Sequence, residues 1–117
     1  MLKELSAANI YIVCGHTDMR KSIDGLAAIV GQQWKLDLFS GSLFLFCGRR
    51  RDRLKALLWE EDGFVLMYKR LENGKYKWPR DSAEAKLITQ KEFRWLMEGL
   101  SIEQKTAIKP AKTGMVC

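Results

Sequence analysis

The sequence contains one histidine, three cysteines and no long apolar segment, and each shortage excludes a class of protein. A zinc site needs three or four clustered ligands, which His16, Cys14, Cys47 and Cys117 are not spaced to provide. An odd number of cysteines without a disulfide framework is typical of a reducing compartment, so we expect a cytoplasmic protein. No signal peptide is visible and no apolar run approaches the roughly 18 residues of a membrane helix, so we expect no membrane partner.

Motifs for nucleotide and metal chemistry are also missing. The sequence has neither a Gly-x-x-x-x-Gly-Lys-Ser/Thr nor a Gly-x-Gly-x-x-Gly motif. Metal-dependent DNA cleavage needs two or three converging carboxylates. The acidic residues have simpler predicted roles, because Asp18 is placed to cap a helix while Glu60, Glu61 and Asp62 form a solvated turn. We therefore expect no cofactor, no metal and no enzymatic activity.

The composition that is present predicts one folded domain. The chain has 117 residues, of which 47% are hydrophobic, enough to bury a core without disulfides. We assign residues 1–104 to the domain and residues 105–117 to a mobile tail with little to pack. A net charge of +6 favours an anionic partner, although only modestly when taken alone.

The first half of the chain predicts a strand, a helix and a second strand. Residues 9–14 are rich in β-branched and aromatic residues. Thr17 and Asp18 offer N-cap oxygens to a helix over residues 19–34. Its apolar face comprises Met19, Ile23, Leu26, Val30 and Trp34. The continuous apolar run 43–47 indicates a strand covered on both faces.

Residues 53–60 and 64–71 predict a β-hairpin, because Asp62-Gly63 between two apolar runs is a strong turn signal. A two-residue loop at Asp62-Gly63 and a four-residue loop over residues 60–63 both pair odd positions of the first strand with even positions of the second. One face then carries Leu54, Ala56, Leu58, Val65, Met67, Lys69 and Leu71, and we expect it to be buried. The other carries cations at the open end and aromatic residues near the turn.

The last third adds a strand and a helix. Asn73-Gly74 predicts a tight turn before a short fifth strand over residues 75–78, and a few further strand positions are expected at residues 87–88. Thr89 and Glu92 match a capping box, which opens a helix ending at Gly99. The predicted fold is α+β: an antiparallel sheet of four to five strands, a helix after the first strand and a C-terminal helix, with the helices on one sheet face.

The excess positive charge is concentrated between residues 49 and 80, where ten Lys and Arg stand against five acidic residues. The open end of the hairpin brings residue 53 beside residue 70, so the cations cluster in a way that suits phosphate contacts. Trp59, Tyr68 and Trp78 offer rings on which unpaired bases stack. The candidate nucleic-acid-binding residues are Arg49, Arg50, Arg51, Arg53, Lys55, Trp59, Tyr68, Lys69, Arg70, Lys75, Lys77 and Trp78. Two alternatives stay open: half-buried core aromatics, and an arginine turn that is merely solvated or meets an acidic protein partner.

An ordered series of short segments resembles a known family. The segments are Thr17-Asp18-Met19-Arg20-Lys21, Gly25-Leu26, Leu43-Phe44-Leu45-Phe46, Arg50-Arg51-Asp52-Arg53-Leu54-Lys55, Leu58-Trp59, Gly63-Phe64, Tyr68-Lys69-Arg70-Leu71-Glu72 and Trp78-Pro79. Together they are similar to the accessory proteins encoded by the second open reading frame of the insertion-sequence-sixty-six transposon family, often called TnpB. The similarity covers about residues 10–99. Nothing resembles the RNA-guided nucleases that share that name.

The resemblance implies a non-catalytic accessory factor of DNA transposition in bacteria. In that family a separate, larger transposase carries the catalytic acids. Combined with the basic hairpin, this predicts DNA and the element-encoded transposase as partners. The alternative is a protein adaptor of the transposase complex without DNA affinity. The sequence leaves the oligomeric state open.

Overall fold

The computed structural model describes residues 7–80 and 84–102. The strands are β1 (Ile10–Val13), β2 (Leu43–Cys47), β3 (Arg53–Glu60), β4 (Gly63–Arg70) and β5 (Ala85–Ile88). The helices are α1 (Ile23–Ala28), which continues as a π-helical turn (Ile29–Gln33), and α2 (Gln90–Met97). The α+β class, the helix after the first strand and the C-terminal helix are thus confirmed. The predicted tail, residues 105–117, lies outside the described residues.

The five strands form one mixed sheet in the order β4-β3-β2-β1-β5. β1 pairs with β2 in parallel, with Ile10 opposite Leu43, whereas the other neighbouring pairs are antiparallel. Parallel strands need a long crossover connection, which here contains α1 and the π-helical turn. The sheet is therefore mostly antiparallel, as expected, with one parallel pair at its centre.

The predicted hairpin is present, and its register pairs Arg53 with Arg70 and Trp59 with Phe64. Odd positions of β3 therefore face even positions of β4, which confirms the face assignment. This is the register that a loop over residues 60–63 predicts, although the turn itself is shortened to residues 61–62, one residue before Asp62-Gly63. Glu60 pairs with Gly63, and Glu61 takes the left-handed conformation with φ 52°. Gly63 is consequently the first residue of β4.

The sheet is covered on both faces, so the expectation of helices on one face is wrong. Leu43, Leu45 and Cys47 belong to one core, which also contains Phe93 and Leu96 of α2. The intervening Phe44 and Phe46 belong to the second core, together with Leu26 and Val30 of the first helical segment. Every residue of β2 is buried, as its continuous apolar run predicts. A strand that is apolar on both sides needs a cover on each, and one helix supplies each cover.

The first helix is shorter than predicted and is capped differently. It begins at Ile23 instead of Met19, and its N-cap residue Ser22 forms no side-chain capping bond. Asp18 accepts hydrogen bonds from the backbone N–H and the guanidinium of Arg20 instead. An arginine two residues away competes for the carboxylate, so the cap predicted at Asp18 does not form. The predicted apolar face does pack against the sheet.

The second helix forms as its sequence predicts. Thr89 Oγ1 accepts from the Glu92 N–H at 3.0 Å, and Glu92 Oε1 accepts from the Thr89 N–H at 2.8 Å. This reciprocal pair is the capping box. Gly99 follows the helix with φ +81°, a conformation that glycine adopts without strain.

Residues 75–78 do not form the predicted fifth strand, which is supplied instead by β5. Tyr76 and Trp78 point into the core while Lys75 and Lys77 remain exposed, so the alternation is real. However, the Tyr76 N–H donates to the Arg51 carbonyl, and the Trp78 indole N–H donates to the Val13 carbonyl. The segment crosses the ends of the strands instead of extending the sheet, because these bonds tie it to β1 and to the β2–β3 loop.

Candidate nucleic-acid interface

One end of the sheet collects most of the predicted site, and we call it the basic end. It comprises the loops after β1 (residues 14–22), between β2 and β3 (residues 48–52) and after β4 (residues 71–80). β1, β2 and β4 run in the same direction, so their carboxyl ends meet at this edge. The Thr17 N–H donates to the Cys47 carbonyl at 2.8 Å, and the Gly15 N–H donates to the Pro79 carbonyl at 2.9 Å. Three loops that are distant in sequence are thereby joined.

The arginine turn, Arg49 to Arg51, lies at the middle of the basic end. Arg51 takes a left-handed conformation with φ 64°, and its N–H donates to the Gly48 carbonyl at 3.0 Å. Arg80 reaches across from the third loop and donates to the carbonyls of Gly48 at 3.0 Å and Arg49 at 2.6 Å. A bulky residue keeps a strained backbone conformation only where surrounding contacts stabilise it. Here the hydrogen bonds from Arg80 and from the Tyr76 N–H stabilise the left-handed conformation of Arg51, so the turn has a fixed shape.

The arginine side chains of this turn are exposed. Within the described part of the chain, none of the three forms an ion pair with a carboxylate. Arg49 Nη2 lies 3.4 Å from His16 Nε2. Guanidinium groups that are not neutralised by neighbouring acids remain available to an external anion.

The open end of the hairpin adds a second group of cations. Arg53 stands directly opposite Arg70, a like-charge cross-strand pair that is unfavourable without counter-charges. Arg70 is bonded to Glu72 at 3.1 Å, but Arg53 lies 4.0 Å from the Asp52 carboxylate and gains little from it. Lys55 donates to the Lys21 carbonyl at 2.7 Å and lies over the Tyr68 ring. A bound phosphate would relieve the repulsion between the two arginines.

A cavity of about 480 Å³ separates the arginine turn from the loop after β1. Its lining includes His16, Asp18, Met19, Arg49, Arg50 and Arg53. Asp18 adds a carboxylate, but Arg20 binds it through two guanidinium nitrogens. These hydrogen bonds lower the pKa of Asp18 well below its ordinary value, so the carboxylate stays ionised and paired with Arg20. The cavity is open, and the guanidinium groups of Arg49, Arg50 and Arg53 in its lining could contact a phosphate group.

The structure does not bring all the predicted site residues together. Arg49, Arg50, Arg51, Arg53, Lys55, Tyr68, Arg70, Lys75 and Lys77 lie at or beside the basic end. Lys69 is next to them but points to the opposite sheet face. Trp59 lies six residues along β3, about 20 Å away at a rise of roughly 3.3 Å per residue. There it packs edge-on against Phe39 and Phe64.

Trp78 is placed in the core. Its side chain is only 4% exposed, and the indole N–H donates to the Val13 carbonyl at 2.8 Å. It therefore presents no ring face on which a base could stack. Tyr68, which is 53% exposed, is the one predicted aromatic residue that lies among the cations. Phosphate contacts thus have more support at this surface than base stacking.

Four residues of the basic end were missed by reasoning from sequence: His16, Arg20, Lys21 and Arg80. The first three lie in the loop after β1, which joins the arginine turn because β1 and β2 are parallel. The strand-helix-strand order of residues 9–47 could have indicated their position, because the two strands of such a unit usually pair in parallel and their carboxyl ends then lie at the same edge. Arg80 had no comparable signal, because its role depends on the path of residues 71–80.

Comparison with known proteins decides the family. A model of the family described as IS66 Orf2 like protein matches residues 8–107. The chain belongs to this family. This IS66 Orf2-like protein is therefore an accessory protein associated with an insertion sequence and with transposition.

Two curated relatives come from Sinorhizobium fredii (strain NBRC 101917 / NGR234). The chain is 32% identical to the uncharacterized protein y4jC over 106 residues, which covers 88% of this chain and 91% of that protein. It is 32% identical to the uncharacterized protein y4hO over 115 residues, which covers 97% of this chain and 100% of that protein. No solved structure matches.

Membrane-spanning helices and metal-binding clusters are both absent from the described residues. Among residues 7–80 and 84–102, no helix is long and apolar enough to cross a membrane. The same residues contain no group of three or more His, Cys, Asp or Glu side chains arranged to hold a metal ion.

Proposed function

We propose that this protein binds DNA phosphates through its basic end and assists a separate transposase in the bacterial cytoplasm, without catalysing a reaction itself. The observation that supports DNA binding best is the arginine turn. Three exposed guanidinium groups lie on a backbone held in place by Arg80. A surface of this kind binds the DNA backbone with strong salt dependence and little sequence preference.

The positions of the acidic residues support a non-catalytic role. Cleavage or strand transfer at metal ions needs carboxylates that converge on one point. Asp18 is bound to Arg20 at the basic end, whereas Glu60, Glu61 and Asp62 lie at the turn of the hairpin, at the opposite end of the sheet. Asp18 is therefore too far from the three turn residues to share a metal ion with them, and within the described part of the chain no three such side chains are arranged to hold one.

A second candidate function is that of a protein adaptor within the transposase complex. The observation in its favour is the aromatic cluster of Phe39, Trp59 and Phe64, with ring centroids 4.9 to 5.9 Å apart. Phe39 is 61% exposed, which is unusual for a large apolar side chain. Exposed aromatic residues are enriched at protein interfaces. The cluster lies away from the basic end, so both functions can coexist in one molecule.

Fluorescence anisotropy with element-end duplex, unrelated duplex and single-stranded DNA, each titrated across salt concentrations, tests DNA binding. The test variant is Arg49→Gln/Arg50→Gln/Arg51→Gln. Its matched control is Lys35→Gln/Lys91→Gln/Arg94→Gln, which removes the same charge from exposed positions away from the basic end. If the three arginines contact phosphates, the slope of log K against log salt falls by about 2.7, or roughly 0.9 for each contact.

The control variant should keep a slope close to that of the wild-type protein. Equal losses of affinity and slope in the two variants would show that only total charge matters and would refute a site at the arginine turn. Absence of binding near physiological ionic strength would reject direct DNA binding and favour the adaptor function. The adaptor function in turn predicts a stable complex with the transposase that Phe39→Ser weakens.

A further inference from the structure

β4 is a long edge strand that no other strand covers among residues 7–80 and 84–102. It lies at one edge of the sheet and spans eight residues, GFVLMYKR, with no proline. The opposite edge strand, β5, has only four residues. Edge strands are normally kept short, charged in the middle or interrupted by a bulge. The middle of β4, residues 64–67, is apolar instead, and its pairing with β3 is continuous.

The outward-facing backbone groups of β4 can be assigned from one hydrogen bond. The Leu71 N–H donates to the Asp52 carbonyl at 2.7 Å, and this pair continues the register of the hairpin. Hydrogen-bonded and non-hydrogen-bonded pairs alternate along antiparallel strands. Odd residues of β4 therefore bond to β3, while Phe64, Leu66, Tyr68 and Arg70 direct their N–H and carbonyl groups away from the sheet. Among the described residues, no backbone partner reaches these groups.

The charges at the two ends of β4 are opposite. The turn before the strand carries Glu61 and Asp62, and the strand ends with Lys69 and Arg70. An antiparallel second copy of the same strand would place the acidic end of each copy beside the basic end of the other. We propose that β4 pairs with β4 of a second copy of this chain about a two-fold axis, which joins two five-stranded sheets into one.

Registers centred near the middle of β4 use its full length, and the side chains distinguish two of them. With Leu66 opposite Leu66 of the second copy, Phe64 faces Tyr68, and the turn residue Asp62, directly before β4, comes beside Arg70. Each of these pairs joins two even-numbered residues. Their side chains therefore lie on the same face, and each face of one sheet continues into the corresponding face of the other. A register centred on Met67 would instead place Arg70 opposite Phe64 and leave Asp62 without a cation. The exposure of Tyr68, at 53%, fits a ring that is covered on pairing.

Arg70 is available for the intermolecular contact. Its present partner is Glu72, in an ion pair whose two side chains are 56% and 76% exposed. Exposed ion pairs contribute little to stability and exchange partners easily. Another protein's extended segment could also pair with β4, but only a second copy offers both complementary charged ends from residues seen in this chain.

Pairing would also determine how the basic ends are arranged. The two strands run in opposite directions, so the two copies of Arg70 lie eight positions apart, about 27 Å along the joined sheet at a rise of roughly 3.4 Å per residue. The basic ends then lie at opposite extremes of the dimer. If the proposed DNA binding is correct, one dimer would hold two separate DNA segments.

Sedimentation velocity across a wide concentration range, without DNA, tests the pairing. We expect the wild-type protein to approach twice the 13.5 kDa mass of the chain at high concentration. Asp62→Lys and Arg70→Glu each place like charges opposite one another and should raise the dimer dissociation constant at least tenfold. The double variant Asp62→Lys/Arg70→Glu restores opposite charges and should recover most of the dimer.

A backbone variant tests the pairing independently of charge. Tyr68→Pro removes an outward N–H from an exposed position of an edge strand, where proline is tolerated. Tyr68→Val removes the ring but keeps the N–H, so it should dimerise while Tyr68→Pro stays monomeric. Circular dichroism confirms that each variant is folded. A wild-type monomer at every concentration, or a dimer that survives both Tyr68→Pro and the single charge changes, would overturn the proposal. Either result leaves the proposed DNA binding untouched, because no DNA is present.

Discussion

The bond from the Trp78 indole to the Val13 carbonyl predicts a large difference between two tryptophan substitutions. Trp78 is 4% exposed and donates at 2.8 Å, whereas the indole nitrogen of Trp34 is buried and has no hydrogen-bond partner among the described residues. Replacing either residue with phenylalanine removes the same atoms. Only Trp78→Phe breaks a hydrogen bond, and it leaves the Val13 carbonyl without this donor.

The two costs can be estimated separately. Loss of a buried hydrogen bond costs about 1–3 kcal/mol. The smaller ring leaves a cavity that adds about 1 kcal/mol at roughly 24 cal/mol per Å³. We therefore expect Trp78→Phe to lower the free energy of unfolding by about 2–4 kcal/mol. Trp34→Phe should lower it by no more than about 1 kcal/mol, because the donor that it removes is already unpaired.

Urea denaturation followed by far-UV circular dichroism measures both values. The slope of unfolding free energy against urea should be the same in the two variants, so that the midpoints report stability directly. Equal destabilisation by the two substitutions would refute the reasoning. It would mean that lost ring volume accounts for the effect and that the bond to Val13 does not hold residues 71–80 against β1.

Two further predictions concern α2 and the core. Thr89→Ala removes one half of the capping box and should lower the free energy of unfolding by about 1 kcal/mol, whereas Thr89→Ser should keep most of it, as measured by urea denaturation. Burial raises the pKa of the Cys47 thiol to about 12, so the thiol is neutral at neutral pH and should resist alkylation until the protein unfolds. Peptide mass spectrometry across a urea series checks this, and rapid alkylation of the native protein would contradict it.

Local sequence signals predicted much of the fold. Three features depend on residues close in sequence or on a single turn. They are the capping box at Thr89, the burial of β2 on both faces and the pairing of Arg53 with Arg70. The helix face that includes Leu26 and Val30 was also predicted by its spacing. In these cases side-chain chemistry and chain geometry indicate the same structure.

The remaining features depend on contacts between distant segments. Lys75 to Trp78 alternates like a strand, but the carbonyl of Arg51 binds Tyr76 and redirects the segment across the basic end. Asp18 has a side chain suited to capping a helix, but its carboxylate accepts hydrogen bonds from Arg20 instead. The cluster at the basic end was predicted around the hairpin, while its extension to His16 and Arg80 required the parallel pairing of β1 and β2.

The position of β1 between β2 and β5 has a consequence for how the protein folds during synthesis. Ile10 pairs with Leu43 on one side and with Ile88 on the other. The strand therefore leaves the ribosome long before its second neighbour exists, whereas the β3–β4 hairpin can form as soon as its own residues emerge. Contacts between distant residues slow folding and leave edges exposed in the meantime. We expect the nascent chain to acquire a protected hairpin early and the complete five-stranded sheet only once residue 88 has been released.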